Sequence, residues 1–146
     1  MDKSQRPRTT YHTTLINEDG LIGHAYAVGA DEIDVKINTT SNDHLGTNPE
    51  QLLGLALTTC FNATLEAIEK RDGYEHRTKV KADVDQAHDT HGFQFFVDVT
   101  VYIPTDEVDR QTAQAWFELA ESRCPVSKLV SGSNNVTFTL VDHWED

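Results

Sequence analysis

Two cysteines, Cys60 and Cys124, are the residues of this chain best suited to covalent chemistry. They are too few for a zinc quartet and too far apart for a C-x-x-C redox motif. Cys124 directly precedes Pro125. If residues 126–130 are helical, Cys124 stands at the helix cap, where free backbone N–H groups and the helix dipole favour a thiolate and lower its pKa. Arg123 and Lys128 lie close by in sequence and add positive potential. The alternative for Cys124 is a buried, inert thiol. Cys60 falls mid-helix, with Ala56, Leu57, Ala63 and Thr64 as its neighbours one turn away. That setting suits either a structural core thiol or a dry pocket. Dryness alone raises a thiol's pKa, so a reactive Cys60 requires a cation from elsewhere in the fold.

The elements that must hold these two thiols follow from periodicity. Alternation at Tyr11, Thr13 and Leu15, then at Ile22, His24, Tyr26 and Val28, brackets the turn residues Asn17, Glu18, Asp19 and Gly20 and predicts a hairpin. Ile33, Val35 and Ile37 add a third strand. At Asn48-Pro49-Glu50-Gln51 the period changes: Asn48 is a capping residue, Pro49 suits the first helical position and Gln51 completes a capping box. The helix that follows is apolar or small on nearly every face over its first four turns, which predicts burial all round, and Gly73 stops it. Residues 79–85 and 93–102 alternate as a second hairpin around a loop at 86–92. A second amphipathic helix opens near Pro104 and carries Val108, Ala113, Trp116, Phe117 and Ala120, with Trp116 and Phe117 at core spacing. Pro125 re-aims it into a short helical turn, and Val136, Phe138 and Leu140 form a last strand.

The chain has 146 residues, enough for one domain spanning 1–146 and too few for two. A 38% hydrophobic and 25% charged composition is that of a folded globular chain. Twelve basic against twenty-four acidic residues leave a net charge of −12, which disfavours nucleic acid and anionic membranes as partners. The first ten residues are polar and basic without an apolar run, and the longest uncharged stretch, 51–65, is too short to span a bilayer. A cytoplasmic location is expected. His88 and His91, near Asp85 and Asp89, lack a third ligand at fixed spacing and do not amount to a metal motif.

Gly46-Thr47-Asn48-Pro49-Glu50-Gln51-Leu52-Leu53, the Thr58-Thr59-Cys60-Phe61 segment of the helix, and Arg123-Cys124-Pro125-Val126-Ser127-Lys128 together resemble the OsmC/Ohr family. The order of three strands, central helix, hairpin, helix, cysteine turn and last strand is similar to that family over nearly the whole chain. The resemblance implies an α+β fold in which antiparallel sheets wrap around a central buried helix carrying the first cysteine, and an intertwined homodimer with thiol sites at its interface. It implies a peroxidase in which Cys60 attacks an organic hydroperoxide and becomes a sulfenic acid, which Cys124 captures as a disulfide. A dithiol reductant such as a lipoyl group restores the pair, and no metal, haem, flavin or other cofactor is implied.

In the family the glutamate of the N-P-E motif, here Glu50, holds an arginine over the thiolate. The two segments that carry that arginine correspond to 17–25 and 35–46, and neither contains one. Lys36 and His44 are the positive residues there; Lys36 and then Arg77 are the candidates for a substitute. Glu50 and Cys60 are ten residues apart, about 15 Å along one helix, so they do not touch directly. The competing reading is a small-molecule or acyl-ligand binding protein of the same fold without peroxide turnover. A hotdog-type thioesterase would not ask for cysteines at these positions.

Overall fold

The computed structural model describes residues 1–39 and 45–145. The chain divides into two compact units, Met1–Asn48 and Pro49–Asp146. His44 lies outside the described residues.

The first unit is a three-stranded antiparallel sheet, β1 (Leu15–Asn17), β2 (Gly23–Ala27) and β3 (Asp34–Ile37), in that order. The β1–β2 turn forms where the composition demands it: Asn17 Oδ1 accepts from the N–H groups of Asp19 and Gly20, and Gly20 takes a φ of 81° that a side chain would resist. Pairing starts at Leu15, opposite Ala27, not at Tyr11. The Thr14 carbonyl still accepts from Val28, but residues 7–13 make no backbone hydrogen bond to the described residues. The alternation there is real, yet the described residues offer it no neighbouring strand. Beyond β3, Ile37 bridges Thr47.

The second unit comprises α1 (Pro49–Arg71), β4 (Lys79–Asp89), β5 (Gly92–Tyr102), α2 (Arg110–Arg123), α3 (Pro125–Val130) and β6 (Val136–Val141). Its sheet has the order β4-β5-β6. β4 and β5 form a hairpin in register from Lys79↔Tyr102 to Asp89↔Gly92, longer than the periodicity predicts because Thr90 and His91 suffice to turn the chain. β6 runs parallel to β5, which requires a crossover, and α2 with α3 supplies it. α2 begins at Arg110, later than Pro104 suggests, because Asp109 accepts from the Thr112 N–H at 2.7 Å and caps it.

Leu57, Phe61, Leu65 and Ile68 of α1 pack with Val97, Val99 and Val101 of β5 and with Ala113, Trp116, Phe117 and Ala120 of α2 in one core. Phe61 is fully buried, its ring stacked on Phe138 at 5.3 Å and tilted against Phe117 at 6.1 Å. The end of α1 is fastened twice: Gly73 adopts a φ of 83°, and the Trp116 indole donates to Asp72 at 2.7 Å.

One expectation is corrected here. α1 is not buried all round in the single chain: Leu52, Leu55, Ala56, Thr59 and Ala63 form an exposed stripe, with Leu55 at 61%. Fourteen residues of α2 and six of α3 cover one side of a 23-residue helix and β4 and β5 another, leaving this third face bare.

Candidate functional site

Cys124 is the hinge residue between α2 and α3. Its N–H donates to the Ala120 carbonyl and closes α2, while its sulfur accepts from the Ser127 N–H at 3.5 Å and opens α3. Pro125 makes this possible: it cannot donate to the α2 ladder, and it pre-sets the φ of the first position of the next helix. The buried Ser127 hydroxyl then donates to the Glu121 carbonyl across the junction at 3.1 Å.

The cap position does not lower the pKa of Cys124 as the sequence suggests. Burial pushes its thiol up, and the hydrogen bond from Ser127 offsets this only partly. The neighbouring Cys60 thiol pushes it further up. Cys60 itself is half-buried on α1 and packs against the same core cluster, and both cysteines are free thiols. Thr64 donates from its hydroxyl to the Cys60 carbonyl at 2.9 Å. The structure therefore brings together the two cysteines that the sequence singled out, 64 residues apart in the chain, as a buried thiol and a half-buried one.

Glu50 is not part of that pair. Ten residues on one helix separate it from Cys60 by about 15 Å along the axis and about 80° around it. It lines a groove of about 460 Å³ between α1 and β4, with Gly54, Leu55, Thr58, Ala82 and Val84, and the Glu50 Oε2 is buried with no hydrogen-bond partner among the described residues. A buried acceptor left unmatched is costly, so this oxygen calls for a donor or a cation beyond those the described residues supply.

The candidate cations differ in their commitments. Arg77 is engaged by Glu107 at 2.8 Å and by Asp106 at 3.5 Å. Arg71 is held by Asp72 and Arg110 by Asp142. Lys36 carries no ion pair to a described residue. In the first unit it sits opposite His24 across β2 and β3 and lines a cavity of about 510 Å³ with Ile22, Ile37 and Leu45. His24, in turn, is paired with Asp34 at 2.9 Å.

A buried polar cluster at the far end of α1 escaped the sequence reading. Glu69, 1% exposed, meets the His76 Nδ1 at 2.5 Å; Thr78 lies 3.2 Å from the same nitrogen and donates to Asn62 at 2.9 Å. Glu69 stands in a run of charged residues at a helix end, which gives no hint of burial. Among the described residues no group of three His, Cys, Asp or Glu side chains is placed to hold a metal ion, and no helix is long and apolar enough to cross a membrane.

Two thiols gathered between a long central helix and a helix junction, beside a three-stranded sheet with one parallel pair, define an OsmC-type fold. The family model for OsmC-like proteins matches residues 30–140, and the chain belongs to the OsmC/Ohr family. It is 31% identical over 103 residues to the organic hydroperoxide resistance protein OhrB of Bacillus subtilis, covering 70% of this chain and 76% of that one. An organic hydroperoxide resistance protein-like protein of Staphylococcus aureus is 29% identical over 136 residues, 89% of this chain and 94% of its own. Among solved structures, a candidate redox protein of Lactobacillus casei superposes with a TM-score of 0.88 at 42% identity, over 99% of this chain and all of its own. B. subtilis OhrB superposes with a TM-score of 0.77 at 26% identity, over 91% of this chain and all of that one.

Proposed function

We propose that this protein is a cytoplasmic thiol peroxidase that reduces organic hydroperoxides in a stress response, with Cys60 peroxidatic and Cys124 resolving. The observation that carries the reading is the meeting of the two free thiols, one half-buried and one buried. The names of the relatives in B. subtilis and S. aureus support the substrate class. The Cys60 thiolate attacks the terminal oxygen of ROOH and the O–O bond breaks. Sulfur is oxidised to the sulfenic acid, and the leaving alkoxide takes up the proton that the thiol gave up, so Cys–SH and ROOH become Cys–SOH and ROH. The Cys124 sulfur then attacks the sulfenic sulfur, releasing water and forming the disulfide. A dithiol reductant, a lipoyl group being the family's example, takes over the disulfide and returns both thiols. A resolving thiol kept protonated by burial does not compete for peroxide, which suits the division of labour.

Glu50 belongs to the same machinery as the anchor of the activating cation, and Lys36 is the cation in place of the family's arginine. The working unit is a homodimer: the bare stripe from Leu52 to Ala63 and the unpartnered Glu50 Oε2 both ask for surface from a second copy. Stopped-flow mixing of reduced protein with cumene hydroperoxide, followed by mass spectrometry, tests the reading. Cys124→Ser should accumulate a sulfenic acid on Cys60; a Cys60 that stays a free thiol under excess hydroperoxide would leave a ligand-binding protein instead.

A further inference from the structure

Ser127 is 5% exposed, a polar residue in a place where alanine would pack with no polar atom to satisfy. Both of its hydrogen-bonding donors are committed: the N–H to the Cys124 sulfur at 3.5 Å, the hydroxyl to the Glu121 carbonyl at 3.1 Å. That carbonyl needs a donor because of Pro125. In a continuing helix the acceptor at 121 would pair with the N–H at 125, and proline has none. The serine thus takes over the acceptor that the proline abandons, and in doing so ties its own backbone to the end of α2.

The sulfur is governed by the same residue. The Cys124 N–H donates to the Ala120 carbonyl and its carbonyl accepts from the Lys128 N–H at 2.9 Å, so the main chain on both sides is fixed. The side chain keeps one rotation, about Cα–Cβ, and the bond from the Ser127 N–H selects among its positions. A charged sulfur accepts more strongly than a neutral one, so this N–H acts most on the reactive thiolate; it is also the chief influence opposing the burial that pushes the thiol up. Access divides the two sulfurs: Cys124 is fully buried and Cys60 half-buried, so a reductant from solvent meets Cys60.

We infer that Ser127 is a positioning residue for the second thiol: its hydroxyl, braced on the Glu121 carbonyl, keeps its N–H on the Cys124 sulfur, which closes the disulfide and leaves when the disulfide is opened. This rests on the proposed peroxidase cycle. In closing, the Cys124 sulfur attacks the sulfenic sulfur, the S–S bond forms, the S–O bond breaks, and the hydroxide departs as water with the thiol proton. In opening, a thiolate of the external dithiol attacks the Cys60 sulfur and the S–S bond breaks. The electron pair passes to the Cys124 sulfur, which the Ser127 N–H stabilises until a proton arrives. The second thiol of the reductant then attacks the reductant sulfur bound to Cys60, releasing Cys60 and the oxidised dithiol. For each tenfold loss of Cys124 thiolate, the greater nucleophilicity of the more basic thiol returns about threefold, so closure slows about threefold.

Wild type, Ser127→Ala and Ser127→Thr are compared in two experiments. Stopped-flow mixing with cumene hydroperoxide separates Cys60 oxidation, whose rate scales with peroxide, from disulfide closure, whose rate does not. Ser127→Ala should leave the first phase unchanged, slow the second about threefold at neutral pH and move its pH profile upward, and Ser127→Thr, which keeps the hydroxyl, should restore both. Lost packing alone would lower the unfolding midpoint and leave the pH profile in place. The second experiment needs no peroxide: diamide closes the disulfide, 2-mercaptoethanol opens it, and acid-quenched samples are read by mass spectrometry. The adduct should sit on Cys60 with Cys124 free, and should form more slowly in Ser127→Ala. A Cys60 inert to hydroperoxide, with the diamide result intact, refutes the peroxidase reading and not the role of Ser127. Equal closure and opening rates in wild type and Ser127→Ala, an adduct on Cys124, or no diamide-formed disulfide overturns the inference.

Discussion

Replacing Glu50 by leucine should change stability in opposite directions in the isolated chain and in the assembled protein. Among the described residues of one chain the buried Glu50 Oε2 has no hydrogen-bond partner. An unsatisfied buried acceptor costs about 1–3 kcal/mol, against which a first-turn carboxylate recovers about 0.3–1 kcal/mol from the helix dipole. Glu50→Leu, which keeps the volume and removes the polar atoms, should therefore stabilise an isolated chain by about 1 kcal/mol. If a second copy brings a cation to this oxygen, the substitution instead strands that cation and costs about 3–5 kcal/mol. Urea denaturation of wild type and variant over a wide range of protein concentration reads the difference. The variant should be the more stable at the lowest concentrations and the less stable once association is complete. A variant that remains more stable at high concentration would show that no cation reaches Glu50, and the activation scheme for Cys60 would fall with it.

Three further outcomes are expected. Burial raises the Cys124 pKa, so the folded state keeps a proton that the unfolded chain releases near pH 8.5; the stability this gives is complete below that pH and is lost as pH rises through the higher folded value, and denaturation midpoints between pH 7.5 and 10.5 should fall more steeply in wild type than in Cys124→Ala. His76→Leu leaves the buried Glu69 carboxylate without its donor and should cost about 3–5 kcal/mol by denaturant titration, most of it recovered in Glu69→Leu/His76→Leu. In a Cys124→Ser background, Lys36→Met should slow iodoacetamide labelling of Cys60 by about tenfold, a loss of about 1.4 kcal/mol of thiolate stabilisation, while Arg77→Met, whose guanidinium is held by Glu107 and Asp106, should not.

Element order was legible in the sequence because it rests on local chemistry, whereas the pairing of Cys60 with Cys124 came only from the resemblance of their motifs to the OsmC/Ohr family. The Asn17 to Gly20 turn, the proline at the start of α1, and Pro125 after Cys124 each act within a few residues, and periodicity of 2 and 3.6 places the strands and helices between them. What stayed hidden depends on neighbours that a sequence does not display. Tyr11 and Thr13 alternate like a strand and find no partner strand among the described residues. Leu52 and Leu55 look like core and lie bare. The cap at Cys124 points to a lowered pKa, and only its complete burial in the core shows that desolvation wins. Glu69 and His76 are seven residues apart across a helix end, a pairing no period predicts.

Cys124 ends one helix and begins the next through two different atoms, its N–H and its sulfur. The sulfur that would join a disulfide is the same one that accepts the first hydrogen bond of α3. Drawing it toward Cys60 takes electron density and position away from the Ser127 N–H, so oxidation and the anchoring of α3 compete for one atom. Leu129, 83% exposed on α3, rides on that anchor. Were Cys124 to join a disulfide, the change inside the core would be felt at α3, as a latch bolt is at its handle, and Leu129 would carry it to the outside.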